Sequence, residues 1–200
     1  MRRDESLQLL AKHRKDEIVV AAWEAAHEWP LFSPSDRNFR SVRTMGEAST
    51  FGLGLALARP DLRVFVLEGD GSLLMNLSCL ATIAATAPAN YYQFVLMNRV
   101  YELTGGHSLP NADQIDFVAI AKGCGLSNAH YFDELDLYER RLPELLSAPG
   151  PALLVLEVQP GKHHISAAHW EQVRSQDEGD IVNLRRVLET TQTAARAGIP

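Results

Sequence analysis

Residues 64–77 read VFVLEGDGSLLMNL, an apolar run that leads through a Gly-Asp-Gly turn into a second apolar run. The first run has the composition of a strand that is buried on both faces of a parallel sheet. Gly69 and Gly71 let the chain turn sharply and let a ligand approach the main chain closely. We expect Ser72 to open a helix, whose first N–H groups and positive dipole end attract anions such as a diphosphate.

The carboxylate of Asp70 makes sense beside a phosphate only if a cation lies between them. Mg²⁺ suits this position, because it takes one or two protein oxygens together with phosphate and water oxygens. Asn98 ends the next apolar run, YQFVLMN, so both residues should emerge at the same edge of adjacent strands. A main-chain carbonyl of the following loop, for which Val100 is the first candidate, would complete the ligands. Alone, Gly-Asp-Gly is a common turn and Asn98 a possible helix cap.

Strand and helix patterns alternate along the chain. Strands are expected at 17–23, near 39–42, and at 63–68, 92–98 and 151–158; helices are expected at about 5–15 and at 46–59, 72–87, 113–125 and 133–148, with a polar loop at 28–39. This order predicts an α/β fold with a doubly wound, mostly parallel sheet and helices on both faces. We expect one domain over 1–200, in which 167–200 form a C-terminal helical tail that is amphipathic from about 167 to 190.

Composition and charge exclude several classes of function. The 200 residues are 46% hydrophobic and 22% charged, and the net charge of -6 offers no basic surface to nucleic acid or to membranes. No apolar run is long enough for a membrane span, and the first residues are too polar for a signal peptide, so we expect a cytoplasmic protein. Cys79 and Cys124 lack metal-binding spacing and are expected to act as small buried hydrophobes.

The 26 residues between Gly71 and Asn98 give the chain a family resemblance. Gly-Asp-Gly, then 24 to 27 residues, then Asn is the cofactor signature of the thiamine-diphosphate-dependent enzymes. Residues 45–84 and 97–106, MNRVYELTGG, resemble the diphosphate-binding subunit of sulfopyruvate and phosphonopyruvate decarboxylases, and the similarity spans roughly residues 15–160. The resemblance implies thiamine diphosphate and Mg²⁺ as cofactors, with Asp70, Asn98 and the Val100 carbonyl on the metal.

The resemblance also assigns residues to the organic cofactor. Gly71 and Ser72 would contact its diphosphate, and the main chain of Arg43 and Met45 its pyrimidine. Gly69 and Tyr101 are further cofactor-binding candidates. Met45 stands where the family has a bulky residue that holds the cofactor bent. By itself Met45 would be interpreted as core packing.

The family activates its cofactor with a glutamate from a second α/β domain, which this chain is expected to lack. Glu47 and Glu68 do not match its position, so the resemblance implies a hetero-oligomer in which a pyrimidine-binding, alpha-type subunit supplies that glutamate. The implied reaction is loss of CO₂ from a 2-oxo acid, which makes the chain a lyase subunit that is inactive alone.

Substrate contacts are less well defined. The resemblance implies a Ser-Arg-Glu segment after the first strand, which in the sulfopyruvate and phosphonopyruvate enzymes could clamp a dianionic head group. This chain departs from that pattern, because it has Ala26, His27 and Glu28 there. His27 and His107 are the candidate catalytic residues, because both fall in loops expected to face the cofactor. His163, His164 and Trp170 are expected at the surface or at a subunit contact.

Other functions stay open at this point. A thiamine-dependent carboligase or acyl-transferring subunit would use the same cofactor site, and a non-catalytic cofactor-binding scaffold has the same sequence features. A dinucleotide-binding domain needs G-x-G-x-x-G after a strand, whereas Gly52 and Gly54 lie in a helical pattern with no third glycine.

Overall fold

The computed structural model describes residues 1–42, 44–161 and 180–191. The strands are β1 (Ile18–Ala22), β2 (Asn38–Val42), β3 (Val64–Gly69), β4 (Tyr91–Met97), β5 (Val100–Tyr101), β6 (His107–Ser108), β7 (Ala129–Phe132) and β8 (Ala152–Glu157). The helices are α1 (Arg3–His13), α2 (Trp23–Phe32), α3 (Ala48–Ala58), α4 (Asp70–Leu74), α5 (Cys79–Thr86), α6 (Phe117–Gly123) and α7 (Leu135–Ser147), and residues 180–191 are also helical.

Six strands form one parallel sheet in the order β2-β1-β3-β4-β8-β7. Alternate residues of each strand point to opposite faces, so Val64 and Val66 join one core while Phe65 and Leu67 join the other. Helices α3, α5 and α6 cover the first face, and α1, α2 and α7 cover the second. The predicted doubly wound sheet with helices on both faces is confirmed.

Three local predictions are wrong. The stretch 28–39 is not all loop, because α2 continues through Pro30 to Phe32 before the chain turns into β2. The helix expected at 72–87 starts at Asp70 rather than Ser72 and is interrupted by a turn over 75–78. Strand β7 was not predicted, because its sequence AHYF is short and lies at the sheet edge with half-exposed residues.

The described part of the C-terminal tail, residues 180–191, is helical and packs against this domain. Leu184 is buried in the same core cluster as residues of α3 and α5. Asp180 accepts bonds of 2.7 Å from both Nε and Nη2 of Arg40 on β2, and both side chains are buried. His163, His164 and Trp170 lie outside the described residues.

Cys79 is buried as predicted, whereas Cys124 is only half-buried. Among the residues that the structure describes, no helix combines the length and the apolar character needed to cross a membrane.

Candidate active site

The chain reverses its winding direction between β1 and β3. The connection that leaves β1 leads to β2 on one side, whereas the connection that leaves β3 leads to β4 on the other. In open α/β sheets this reversal opens a crevice at the carboxyl ends of the two strands, where ligands bind. A cleft lies there, and its walls come from the segments after β1, β3 and β4 together with the first turn of α1.

The cleft brings together most of the predicted cofactor and metal residues. They are Met45, Gly69, Asp70, Gly71, Ser72, Asn98, Val100 and Tyr101. Gly69 pairs with Leu96 in the β3–β4 ladder, so Asp70 and Asn98 leave adjacent strands at nearly the same level, as the sequence predicted. The mostly apolar remainder of the wall includes Trp23, Leu96 and Leu103.

Asp70 is a buried carboxylate, only 2% exposed. Its Oδ1 accepts the N–H of Gly71 at 2.9 Å and its Oδ2 accepts the N–H of Arg99 at 2.7 Å. Burial raises the pKa of Asp70 to about 6, although these N–H groups act in the opposite direction. No Lys, Arg or His lies within ion-pair distance of Asp70 in the part of the chain that the structure describes. A buried carboxylate in this condition is a site for a cation.

The backbone of Arg99 aims its N–H at Asp70. Arg99 has a φ of 64°, a left-handed conformation that non-glycine residues rarely adopt. Its side chain is anchored on both sides, by the carbonyl oxygen of Ala112 at 2.7 Å and by Glu157 at 3.0 Å. These anchors hold the strained turn between Asn98 and Val100.

Asn98 is oriented from both ends of its amide. Its Oδ1 accepts the N–H of Val100 at 3.1 Å, and its Nδ2 donates to Oε2 of Glu102 at 2.8 Å. Glu102 in turn accepts a bond of 2.8 Å from Arg3, which enters the cleft from α1. Arg3 also grips Glu28 of α2 with Nε and Nη2, at 2.6 to 3.0 Å.

Arg3 is 2% exposed, and its guanidinium donates hydrogen bonds to both of these carboxylates. Burial alone would lower the pKa of Arg3, but the bonds to Glu28 and Glu102 outweigh it and raise the pKa. The cleft wall carries one guanidinium and three carboxyl groups, from Glu24, Asp70 and Glu102. Arg3 is thus the one cationic side chain of the described wall, and Glu28 and Glu102 balance its charge.

The loop that carries Met45 is fastened to the Gly-Asp-Gly turn. The N–H of Gly46 donates to Oγ of Ser72 at 2.8 Å, and Asn76 donates to the carbonyl of Gly46 at 2.8 Å. Ser72 donates its own proton to Oε1 of Glu68 at 2.6 Å. The hydroxyl of Ser72 is therefore committed to the protein interior, so only its main chain is left for the predicted diphosphate contact.

Glu68 is fully buried beneath this turn. Besides Ser72 it accepts bonds from Ser49 and, at 3.4 Å, from Gln93. Burial raises the pKa of Glu68 against the effect of these hydroxyl donors. Glu47 is exposed at the start of α3, as predicted. Neither glutamate lines the cleft.

The structure does not bring the two predicted catalytic histidines to the cleft. His107 pairs with Tyr101 in the β5–β6 hairpin, but it is exposed and outside the wall that Tyr101 helps to form. His27 lies on α2 one turn beyond the residues that line the cleft. Their catalytic roles stay predictions. Arg43 lies outside the described residues.

Sequence reasoning missed Arg3 and Trp23 as residues of the cleft wall. Trp23 and Glu24 follow β1, and Trp23 has a φ of 53° that turns the chain from strand to helix inside the cleft wall. The position directly after the first strand was a usable signal, since ligands bind at strand ends. Arg3 gave no such signal, because it is distant in sequence from every residue it contacts.

The donor set fits a magnesium ion. Asp70, Asn98 and Val100 offer a carboxylate, an amide oxygen and a main-chain carbonyl, all hard oxygen donors that line one cleft. No cluster of three or more His, Cys, Asp or Glu side chains occurs within the described ranges, so the donors do not suit zinc.

Comparisons with known proteins show which family the chain is similar to. Residues 22–156 match the family model of the thiamine pyrophosphate enzyme C-terminal TPP-binding domain. A phosphonopyruvate decarboxylase of Streptomyces viridochromogenes is 39% identical over 156 residues, which cover 77% of this chain and 38% of that protein. The sulfopyruvate decarboxylase subunit beta of Methanothermobacter thermautotrophicus is 36% identical over 162 residues, which cover 80% of this chain and 84% of that subunit.

The chain thus spans little more than a third of the phosphonopyruvate decarboxylase but most of the sulfopyruvate decarboxylase subunit. Among solved structures, benzoylformate decarboxylase from Polynucleobacter necessarius superimposes with a TM-score of 0.65 at 19% identity, over 82% of this chain and 34% of that one. This last likeness concerns the fold alone.

Proposed function

The chain belongs to the thiamine pyrophosphate enzymes, and on that premise we propose that it is the diphosphate- and metal-binding subunit of a 2-oxo acid decarboxylase. The observation that carries the proposal is the buried carboxylate of Asp70, which has no cation beside it in the described chain and shares a cleft with Asn98 and Val100. Bound thiamine diphosphate would supply the nucleophile and the electron sink that loss of CO₂ requires.

The chain's own residues then have distinct tasks. Asp70, Asn98 and the Val100 carbonyl would hold Mg²⁺, and Gly69, Gly71, the main chain of Ser72 and Tyr101 would contact the cofactor. Met45 supports the cofactor from the loop that Ser72 and Asn76 fasten. Trp23, Leu96 and Leu103 make this part of the cleft apolar and so reduce the access of water.

The carboxylate that activates the cofactor is proposed to come from a second, pyrimidine-binding subunit. Glu68 is committed to Ser49 and Ser72, Glu28 is committed to Arg3, and Glu47 is exposed away from the cleft. Glu24 and Glu102 are the glutamates of the described chain that line the cleft, and both oxygens of Glu102 accept hydrogen bonds from Arg3, Asn98 and Gly161.

We propose a 2-oxo acid substrate without assigning its side chain to the sulfonate or phosphonate class. Arg3 is the one described cation in the cleft wall, and Glu28 and Glu102 already neutralise it. A dianionic head group would therefore need cations other than those of the described wall. A substrate with an uncharged side chain would suit the apolar wall of Trp23 and Leu103.

The test is to purify the chain alone and together with the product of a neighbouring reading frame of similar size, and to measure CO₂ release. The panel should contain sulfopyruvate, phosphonopyruvate, pyruvate and 2-oxo acids with larger apolar side chains. We expect CO₂ from the complex and none from the isolated chain, because one activating carboxylate accounts for about 10²- to 10⁴-fold in rate. Analysis of the second product, an aldehyde or a longer ketone, separates a decarboxylase from a carboligase.

Two results would contradict the proposal. Robust CO₂ release by the isolated chain would remove the need for a partner, and loss of that activity in Glu24→Gln would identify the base. Failure of both preparations to bind thiamine diphosphate with Mg²⁺ would leave no catalytic role for the cleft. Binding without turnover on any substrate would favour the scaffold.

The cytoplasmic location predicted from the sequence stays a prediction.

A further inference from the structure

Glu102 lies between the proposed metal ligand Asn98 and the buried Arg3. It belongs to a 3-10 turn over Glu102–Thr104, directly after β5. Its Oε2 accepts one bond from Nδ2 of Asn98 and one from Nη1 of Arg3, both at 2.8 Å. Its Oε1 accepts the N–H of Gly161 at 3.0 Å. Both carboxylate oxygens are thus engaged by donors.

An ionised carboxylate can only accept hydrogen bonds, whereas a side-chain amide donates at one end and accepts at the other. The end of Asn98 that faces Glu102 must therefore be its NH₂ group. The N–H of Val100 lies 3.1 Å from the opposite end, which must be the oxygen. If the amide rotated by 180°, it would place oxygen against oxygen and N–H against N–H, and both bonds would be lost.

The position of Glu102 is itself fixed. Arg3 is 2% exposed, and its remaining N–H groups are held by Glu28 of α2 and by the carbonyl of Gly161. Through Arg3, three separate segments of the chain define where the Glu102 carboxylate lies. A planar guanidinium that binds several acceptors in this way allows little movement.

We propose that Glu102, held by Arg3, is a positioning residue that presents the oxygen rather than the nitrogen of Asn98 to Mg²⁺. This inference rests on the proposed function, because it assigns a task to Glu102 at the same metal site. The NH₂ group of a side-chain amide has no lone pair for a metal. An amide that alternated between its two orientations would therefore be an inefficient metal ligand. Partners that orient metal ligands typically change metal affinity by about 10- to 100-fold when they are removed.

The test is the affinity of the full chain for Mg²⁺ at a fixed concentration of thiamine diphosphate, measured by calorimetry. Glu102→Ala removes the acceptor and should weaken Mg²⁺ binding by about 10- to 100-fold. Glu102→Gln keeps one acceptor oxygen. Two donors, Asn98 and Arg3, favour that oxygen on their side, whereas only the N–H of Gly161 favours it on the other. The Mg²⁺ affinity of this variant should therefore be close to that of the wild type.

A second substitution separates orientation from a general loss of structure. Asn98→Asp offers an oxygen at both ends, so its orientation no longer matters. In the wild-type background it brings a second carboxylate to about 2.8 Å from Glu102 and should weaken binding. In the Glu102→Ala background the same change should restore the affinity, because the repulsion is absent. The effect of Asn98→Asp should therefore reverse its sign between the two backgrounds.

The matched control is Asp180→Ala. It breaks the buried ion pair between Asp180 and Arg40, which lies outside the cleft. The side chain of Arg40 is 7% exposed and that of Asp180 is 9% exposed. It should lower thermal stability without changing Mg²⁺ affinity. Glu102→Ala with wild-type affinity, or Asn98→Asp with the same effect in both backgrounds, would overturn the inference. If the wild-type chain shows no Mg²⁺-dependent binding of thiamine diphosphate either alone or together with the partner subunit, the proposed function is refuted instead.

Discussion

Asp70→Asn should change how the stability of the metal-free chain depends on pH. The carboxyl of Asp70 has a folded-state pKa of about 6, whereas its unfolded reference value is 3.8, because burial disfavours the charged form. The folded state therefore binds this proton more tightly than the unfolded state. The resulting stabilisation is complete below the unfolded pKa and is lost as the pH rises through the folded pKa. Asparagine has no such proton.

The size of the effect follows from the two pKa values. A difference of about two units corresponds to about 3 kcal/mol over the whole titration. Between pH 4.5 and pH 7.5, the part that is lost is about 2 kcal/mol of unfolding free energy. Asparagine also places an NH₂ group against one of the two N–H donors, Gly71 or Arg99, which costs about 1–3 kcal/mol at every pH. The pH-dependent difference is therefore more informative than either stability alone.

Urea unfolding of both proteins at pH 4.5 and at pH 7.5 provides the measurement. The stability of the wild type relative to Asp70→Asn should fall by about 2 kcal/mol between the two pH values. At pH 7.5, Mg²⁺ with thiamine diphosphate at about 100 times the dissociation constant should return about 2.7 kcal/mol to the wild type and nothing to the variant. A constant difference between the proteins across this pH range would show that Asp70 is not a strained buried carboxylate.

Three further tests, which use four substitutions, address other parts of the site and fold. Met45→Ala should cost less than about 2–5 kcal/mol of stability and yet slow CO₂ release by the complex; equal loss of both would return Met45 to the core. Gly71→Ala places a Cβ 2.8 Å from the ring of Tyr101 and should destabilise the protein by about 1–3 kcal/mol. The Cβ of the control Gly69→Ala meets nothing within 4 Å, so this variant should keep the wild-type stability. Equal melting temperatures of the two variants would contradict the packing at Gly71. Asp180→Ala leaves a buried arginine without its partner and should cost about 3–5 kcal/mol by urea unfolding.

Local sequence patterns predicted the sheet and the approximate place of the cleft. The strand at 63–68 and the strand at 92–98 are continuous apolar runs, and a run of that kind is stable only when both its faces are covered. The spacing of Asp70 and Asn98 then required adjacent strand ends, which the β3–β4 ladder has. Short or mixed segments gave weaker signals, so the β7 sequence AHYF was missed and the helix α2 was not predicted.

The orientation of the site's side chains was not predictable in the same way. Arg3 reaches Glu28 across 25 positions and Glu102 across 99, and no periodicity in the sequence relates these residues. The proposed roles of His27 and His107 came from their positions in or near loops, yet neither side chain lines the cleft.

The sequence by itself determined the α/β class, the winding of the sheet and the pairing of Asp70 with Asn98, because each depends on hydrophobic period and on the order of neighbouring elements. Only the tertiary structure decided which groups surround those two residues. Burial raises the pKa of the Asp70 carboxyl, and the Glu102 carboxylate sets the orientation of the Asn98 amide. Both effects arise from desolvation and hydrogen bonding between distant segments, which exist only once the chain has folded.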